Sequence, residues 1–205
     1  MNDLLELYAR PYDEKEPVVC VDEKSLQLLE DVRKILPLKP SFGIRVDYHY
    51  KRKGTTNIFV GIEPKGKKRV LKVSTRKTKR DYANYILELL TIHYPKAEKV
   101  HIVSDNLNTH PLKCLKEILG ENNSIFKRLV LHFTPFHASW LNQAELEIGA
   151  LQSQCLNGRR FPDEETLREE VQAWVKERNR QKIGINWTFT RKQAEVKFKI
   201  KSKPN

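Results

Sequence analysis

Short apolar runs that turn abruptly polar set the pattern of this chain. VVCVDEKS (18–25) is apolar through Val21 and then charged, which predicts a central strand whose carboxyl end reaches solvent at Asp22. FGIRVDYHY (42–50) alternates in places, while TTNIFVGIEPKG and RVLKVSTR predict two strands joined by a turn at Pro64 to Gly66. Over residues 80–94 the period lengthens: Tyr82, Tyr85, Ile86, Leu89 and Leu90 fall at helical spacing and Pro95 stops the run. KVHIVSD predicts another strand, ending at Asp105, and PLKCLKEILG a helix with Pro111 near its start and Gly120 past its end. RLVLHFTP reads as one more strand. HASWLNQAELEIGALQSQCLNG carries Leu141, Ala144, Ile148, Leu151 and Cys155 at steps of three and four, an amphipathic helix closing on Asn157 and Gly158. DEETLREEVQAWVKERNRQK has acids in its first turns and bases in its last, as the helix dipole favours.

This order predicts an α/β domain, a mixed sheet with helices on its faces, over residues 17–183. Residues 1–16 combine a short amphipathic stretch with a Pro-bounded charged segment and read as a linker or tail, and 184–205 as a basic tail that frays towards its end.

Charge narrows the class of partner. With 38 basic against 26 acidic side chains the chain carries a formal +12, which points to a polyanion, nucleic acid first. A membrane surface is the competing explanation, but the chain has no apolar run near the roughly 20 residues of a spanning helix, no signal-peptide pattern and no lipidation motif. A cytoplasmic protein is therefore expected. Cys20, Cys114 and Cys155 are odd in number and lack C-x-x-C spacing, the pattern of reduced, buried thiols.

Strands ending side by side present their terminal residues to one crevice, so Asp22 and Asp105 meet if their strands are neighbours. A third acid could come from the helix over 139–156. Unit charges about 4 Å apart repel by up to roughly 4 kcal/mol at an effective dielectric near 20, so three carboxylates cannot share a pocket without protonation or a cation. Oxygen-only ligands suit Mg²⁺ or Mn²⁺. On a basic protein this combination points to phosphodiester chemistry, with two ions roughly 3.5 to 4 Å apart able to serve the attacking and leaving oxygens. Glu145 and Glu147 project about 160° apart on a helix, so only one can enter the pocket, and periodicity does not choose between them.

VVCVDEKS, YKRKGTTNIF, HIVSDNLNTH and HFTPFHASWLNQAELEIGALQSQCL with its downstream INWTFT resemble the catalytic half of bacterial mariner-related insertion-sequence transposases. The resemblance runs from about Ala9 to Lys199. It implies a ribonuclease H-like fold of the DDE transposase and integrase superfamily, with Asp22, Asp105 and Glu145 as the catalytic, metal-holding acids and Glu147 as a surface neighbour. The interval from Asp105 to Glu145 is a few residues longer than usual for mariner relatives, which a longer connection around Leu119 to Lys127 would absorb. The resemblance further implies cleavage at element ends, strand transfer into target DNA at a TA dinucleotide, double-stranded DNA as partner and a homodimer. It also implies an upstream helix-turn-helix transposase part, which reads the terminal repeats and which this chain lacks.

Around this core, Asn106, Asn108, His110 and Asn142 are candidate supporting residues: the first three follow the second aspartate and Asn142 precedes Glu145. Lys51, Arg52, Lys53, Lys67, Lys68, Arg69, Arg76, Lys77, Lys79 and Arg80 fall in basic stretches suited to phosphate contact, which positions a duplex without reading its bases. Two other readings of the chain stay open: a non-catalytic DNA-binding or assembly module derived from a transposase, and a ribonuclease H-like RNA nuclease.

Overall fold

The computed structural model describes residues 1–33, 48–105, 110–120 and 123–198. Five strands form one sheet in the order β3-β2-β1-β4-β5: β1 (Val18–Asp31), β2 (Tyr50–Glu63), β3 (Lys68–Ser74), β4 (Val100–Ser104) and β5 (Leu129–Phe133). β1, β2 and β3 are an antiparallel meander, whereas β4 and β5 join β1 in parallel. The mixed sheet is the one anticipated. β1 is longer than its sequence suggested, because β2 stays paired with it to Asp31 although β4 leaves it after Cys20. The charges at Asp22 to Lys24 therefore mark the loss of one neighbour and not the end of the strand. Most of the strand anticipated over 42–50 lies outside the described residues.

Alternation sorts the strand residues between two faces. Val19, Val21, Phe59, Val100 and Ile102 pack on one face under α2 (Lys79–Glu88) and its π-helical extension Leu89–His93, together with Leu115 of α3 (His110–Leu119). Thr78 caps α2 in a reciprocal capping box with Asp81. Tyr85 reaches over Gly61 to donate to the Val70 carbonyl at 2.7 Å, and a β-carbon at Gly61 would lie 2.5 Å from that hydroxyl. On the opposite face Ile58, Val60, Leu71 and Val73 pack under α5 (Ala144–Leu151), its π-helical continuation Gln152–Leu156, and α6 (Glu164–Arg180). The long helix anticipated over 137–158 is thus three pieces: a 3₁₀ turn (Ser139–Leu141), α5 and the π segment, with an extended Asn142 breaking the first from the second. The longer connection anticipated around Leu119 to Lys127 holds α4 (Ser124–Lys127), capped by Asn123.

Segments near both termini belong to this body. Residues 2–9 form α1 (Asn2–Ala9), which buries Leu4, Leu5, Leu7 and Tyr8 against Cys20, Ile62 and Val103; Ile185, Trp187 and Phe189 pack on the same cluster, as does Ala194 of α7 (Arg191–Phe198). The stretches 1–16 and 184–205, anticipated as linker and tail, thus each contribute apolar side chains to a shared core, while residues 199–205, where fraying was anticipated, lie outside the described residues. Cys20 and Cys155 are buried and Cys114 partly so, all as free thiols. Among the described residues no helix is long and apolar enough to cross a membrane.

Candidate metal centre

The parallel pairing of β1 with β4 runs Val18 to His101, Val19 to Ile102 and Cys20 to Val103. Two residues further along the same register stand Asp22 and Asp105. Cys20 and Val103 face the side on which Ala144 and Leu141 pack, and the two-residue period places both aspartates on that side too. There α5 begins, and Glu145 lies in its first turn. One carboxylate oxygen from each of Asp22, Asp105 and Glu145 falls within 4.8 Å of the others.

Neighbouring groups hold the two aspartates. Asp105 Oδ1 accepts from Thr134 Oγ1 at 3.1 Å and from Asn142 Nδ2 at 3.4 Å. Asn142 is fully buried; its Nδ2 also donates to the Val21 carbonyl at 3.0 Å, and its Oδ1 accepts from the Ala144 amide at 3.2 Å. One amide group thus ties β1, β4 and the start of α5 together, beside all three acids. Asp22 Oδ1 accepts from the Glu23 amide at 2.7 Å. Burial pushes the Asp22 carboxyl up to about 7, Asp105 and Glu145 add to the rise, and the Glu23 amide opposes it.

The rotation of α5 has its own cause. Glu147 is not a surface neighbour as expected: it is buried and paired with Arg69, whose Nε donates to Oε1 at 2.6 Å and Nη2 to Oε2 at 3.3 Å, with Arg178 Nε 3.5 Å away. Arg69 Nη2 also donates to the Ile183 carbonyl at 2.6 Å, and its backbone exchanges hydrogen bonds with the Asn179 side chain. With Glu147 turned inward, Glu145 on the far side of the helix is left at the carboxylate cluster.

The remaining site candidates divide. Arg69 is excluded as a phosphate contact, because its guanidinium is buried in the pair with Glu147. Lys68 is half-buried, its Nζ donating to the His93 carbonyl at 2.6 Å and lying over the Tyr94 ring. Lys51, Arg52, Lys53, Lys67, Arg76, Lys77, Lys79 and Arg80 are exposed; Lys53 meets Glu30 at 3.2 Å, and Lys77 is near enough to Glu23 to lower its carboxyl against the effect of burial. Asn106 and Asn108 lie outside the described residues, and His110 opens α3. Thr134 escaped sequence reasoning, although HFTP repeats for β5 the apolar-to-polar change that HIVSD shows for β4. Its amide continues the pairing by donating to the Ser104 carbonyl at 3.1 Å.

The donor set fits a hard divalent cation: three carboxylates, no nitrogen or sulfur ligand among them, and mutual repulsion that a cation would remove. The pH response follows. An Asp22 carboxyl raised from 3.8 to about 7 contributes stability to the metal-free fold that is complete below the lower value and lost as pH rises through the upper. Mn²⁺ must displace that proton. Titration calorimetry in buffers of different ionisation enthalpy should therefore show affinity rising up to about pH 7 and levelling above it, with proton release below pH 7 and little at pH 8. Affinity independent of pH between 5.5 and 8 would contradict this.

The sequence matches the family described as DDE superfamily endonuclease over residues 17–168. The fold is similar to that of a Mos1 mariner paired-end complex with Mn, at 18% identity and a TM-score of 0.55 over 88% of this chain and 55% of that one. It is similar also to a Mos1 transposase paired-end complex with the left transposon end (18% identity, TM-score 0.58, 88% and 55% covered) and to a Mos1 paired-end complex with Mg (18%, 0.54, 91% and 60%). The chain thus spans little more than half the length of these structures. At such identity the likeness bears on the fold, which is the ribonuclease H-like arrangement anticipated. Among curated proteins none matches in sequence.

Proposed function

Since this chain belongs to the DDE superfamily of endonucleases, we propose that it is the catalytic domain of a transposase, cutting and joining DNA strands at a divalent-metal centre held by Asp22, Asp105 and Glu145. The observation that carries this is the convergence of three carboxylates, from β1, from the residue that follows β4 and from α5, on one face of the sheet. Mg²⁺ or Mn²⁺ is the cation, and a pair of ions would supply Lewis-acid activation of the attacking oxygen and neutralise charge on the leaving one. The chain's own groups do the holding. Asn142 and Thr134 orient Asp105, and the exposed bases at 51–53, 67, 76, 77, 79 and 80 take phosphates of double-stranded DNA. In cleavage, water attacks a phosphodiester at the element end, the bond to the 3′ oxygen breaks, and a 3′-hydroxyl and a 5′-phosphate result. That hydroxyl then attacks a target phosphodiester at a TA step, forming one bond as another breaks. A homodimer would pair two element ends, and a helix-turn-helix transposase part would supply recognition of the repeats.

The test is incubation of the purified chain with Mn²⁺ and supercoiled plasmid or nicked duplex, beside Asp105→Asn. Nicked or joined products from the wild type alone support the reading. DNA binding without a metal-dependent product from either protein would assign it instead to a non-catalytic module, and selective cutting of RNA in hybrids to a ribonuclease.

Phosphate binding is separately measurable. Replacing Lys51, Arg52 and Lys53 by glutamine is expected to weaken duplex binding similarly for unrelated sequences. For every phosphate that these side chains neutralise, the slope of log K against log salt should fall by about 0.9 in the variant. An unchanged slope in fluorescence anisotropy would remove this stretch from the interface.

A further inference from the structure

A second concave feature lies behind the metal centre. At the amino-terminal ends of β1 and β4, residues 7–13, the β2–β3 turn and residues 184–187 line a cavity of about 680 Å³. Val18, at its edge, is four residues or roughly 13 Å along β1 from Asp22. Sites for small molecules run roughly from 300 to 1,000 Å³ and combine apolar walls with a few converging polar groups. Here Leu7, Tyr8, Val18, Ile185 and Trp187 supply the walls. Three buried side-chain atoms of the lining, Glu63 Oε1, His101 Nε2 and Gln143 Oε1, have no hydrogen-bond partner among the described residues. His101 Nε2 has Glu16 Oε2 at 3.5 Å, and the second oxygen of Glu63 accepts from the Tyr94 hydroxyl at 3.2 Å. The Gln143 side chain has no such relief. It is 2% exposed, and a buried acceptor left unmade is costly.

Charge around the cavity is one-sided. Arg10, Lys65 and Lys67 are exposed residues of its lining and form no ion pair among the described residues. Of the acids, Glu16 is paired with Lys99 at 3.3 Å, and burial pushes the Glu63 carboxyl up, towards its neutral form. Asp13 is the remaining opposing charge. Lys65 Nζ donates to the Arg10 carbonyl, which ties the turn to the residue after α1.

We propose that this cavity binds a small, flat aromatic anion carrying an N–H on its ring, and that the ligand steadies the segment holding Asp105. The ring packs among the apolar walls, the N–H donates to Gln143 Oε1, and the anionic group meets Arg10, Lys65 and Lys67. Aryl carboxylates and nucleoside phosphates share this chemistry. Gln143 stands between Asn142, which donates to Asp105 Oδ1 at 3.4 Å, and Ala144, where the helix carrying Glu145 begins. A ligand that holds Gln143 restrains both neighbours and so favours the arrangement of acids that takes a cation. This coupling rests on the catalytic reading above; the binding itself does not.

The experiment is calorimetric titration of the full chain, first in EDTA, with indole-3-acetate, benzothiophene-3-acetate, tryptamine and guanosine 5′-monophosphate. Indole-3-acetate is expected to bind about 5- to 10-fold more tightly than its sulfur analogue, which lacks the N–H, and more tightly than tryptamine, whose charge is reversed. Gln143→Leu should erase the difference between the two acids, and Arg10→Gln should narrow that between acid and amine. Asp105→Asn should bind the acid as wild type does. No binding of any probe up to about 1 mM, equal binding of the two acids, or tighter binding of tryptamine would overturn the site. These comparisons use wild type, so they decide it even where Gln143→Leu fails to fold. Tighter binding of the nucleotide than of indole-3-acetate assigns the ligand to the nucleoside phosphates, the reverse to the aryl acids. With Mn²⁺ at pH 8, saturating indole-3-acetate should raise metal affinity about fivefold or more, and Mn²⁺ should raise affinity for the acid by the same factor. Unchanged metal affinity would overturn the coupling and leave the site. Failure of wild type to bind Mn²⁺ at all would overturn the carboxylate reading and the coupling with it, while the site stands or falls on the acids alone.

Discussion

Asp105→Asn is expected to reduce metal-dependent DNA cutting by at least about a thousandfold and, in the same protein stripped of metal, to raise the melting temperature at pH 8. The loss follows from the work assigned to the ion: Lewis-acid stabilisation is worth several kcal/mol of barrier, and each 1.36 kcal/mol is tenfold in rate. The gain follows from repulsion. Asp22, Asp105 and Glu145 bring oxygens within 4.8 Å of one another, and asparagine removes one of the charges while keeping an oxygen for Thr134 and Asn142 to donate to. Saturating Mn²⁺ should invert the order, because a ligand that binds only the folded state stabilises it by mass action, and the wild type binds it more tightly. Thermal unfolding in EDTA and in Mn²⁺, run beside a nicking assay, reads all three effects. A metal-free Asp105→Asn protein less stable than wild type would mean that the three acids do not strain the fold, and would remove the electrostatic argument for an ion between them.

The second large effect concerns the buried pair that sets α5. Both Arg69 and Glu147 are 1% exposed. Removing one partner of such a pair strands the other without compensation, at a cost of about 3 to 5 kcal/mol. Glu147→Leu should therefore lower the melting temperature by roughly 6 to 20 °C for a domain of this size. Arg69→Met with Glu147→Leu should recover much of that loss, since well-packed apolar replacements of a buried pair are often neutral. Activity should not recover with stability. The double variant loses the polar lock that turns Glu145 toward the aspartates, so its Mn²⁺ affinity is expected to stay below that of wild type. A double-mutant cycle in melting temperature and in Mn²⁺ affinity separates the two. Full recovery of affinity would show that packing alone orients the helix.

This pair also shows where sequence reading stops. Asp22 and Asp105 stand out because an apolar run breaks at each, a local signal, and the register that brings them together needs only neighbouring parallel strands. Glu145 and Glu147 share a turn, and the stripe that could have ranked them is weak: Leu146 is 53% exposed while Ala144 and Leu151 are buried. What distinguishes them is Arg69, remote in sequence and placed in a basic stretch that reads as surface. β3 is covered by α6, and Arg69 lies beneath that cover and not on an open edge. α1 showed only as a short amphipathic stretch for a similar reason. Eight residues are too few to show a helical period, and the partners of Leu4, Leu5 and Leu7 lie on β1, β2 and β4 and on the 185–194 segment. The meander, by contrast, was legible because its apolar runs are consecutive and a turn separates two of them.

The in-step pairing of β1 with β4 restricts how the chain can vary. Pleated strands point successive side chains to opposite sides, so loss of one residue from β4 would turn the Asp105 carboxylate to the α2 side, whereas loss of two would restore its side but leave it a full step short. Odd and even length changes inside the two strands are thus unequal lesions. The connections between them are free of this parity rule, and relatives should differ in length there long before they differ within the strands.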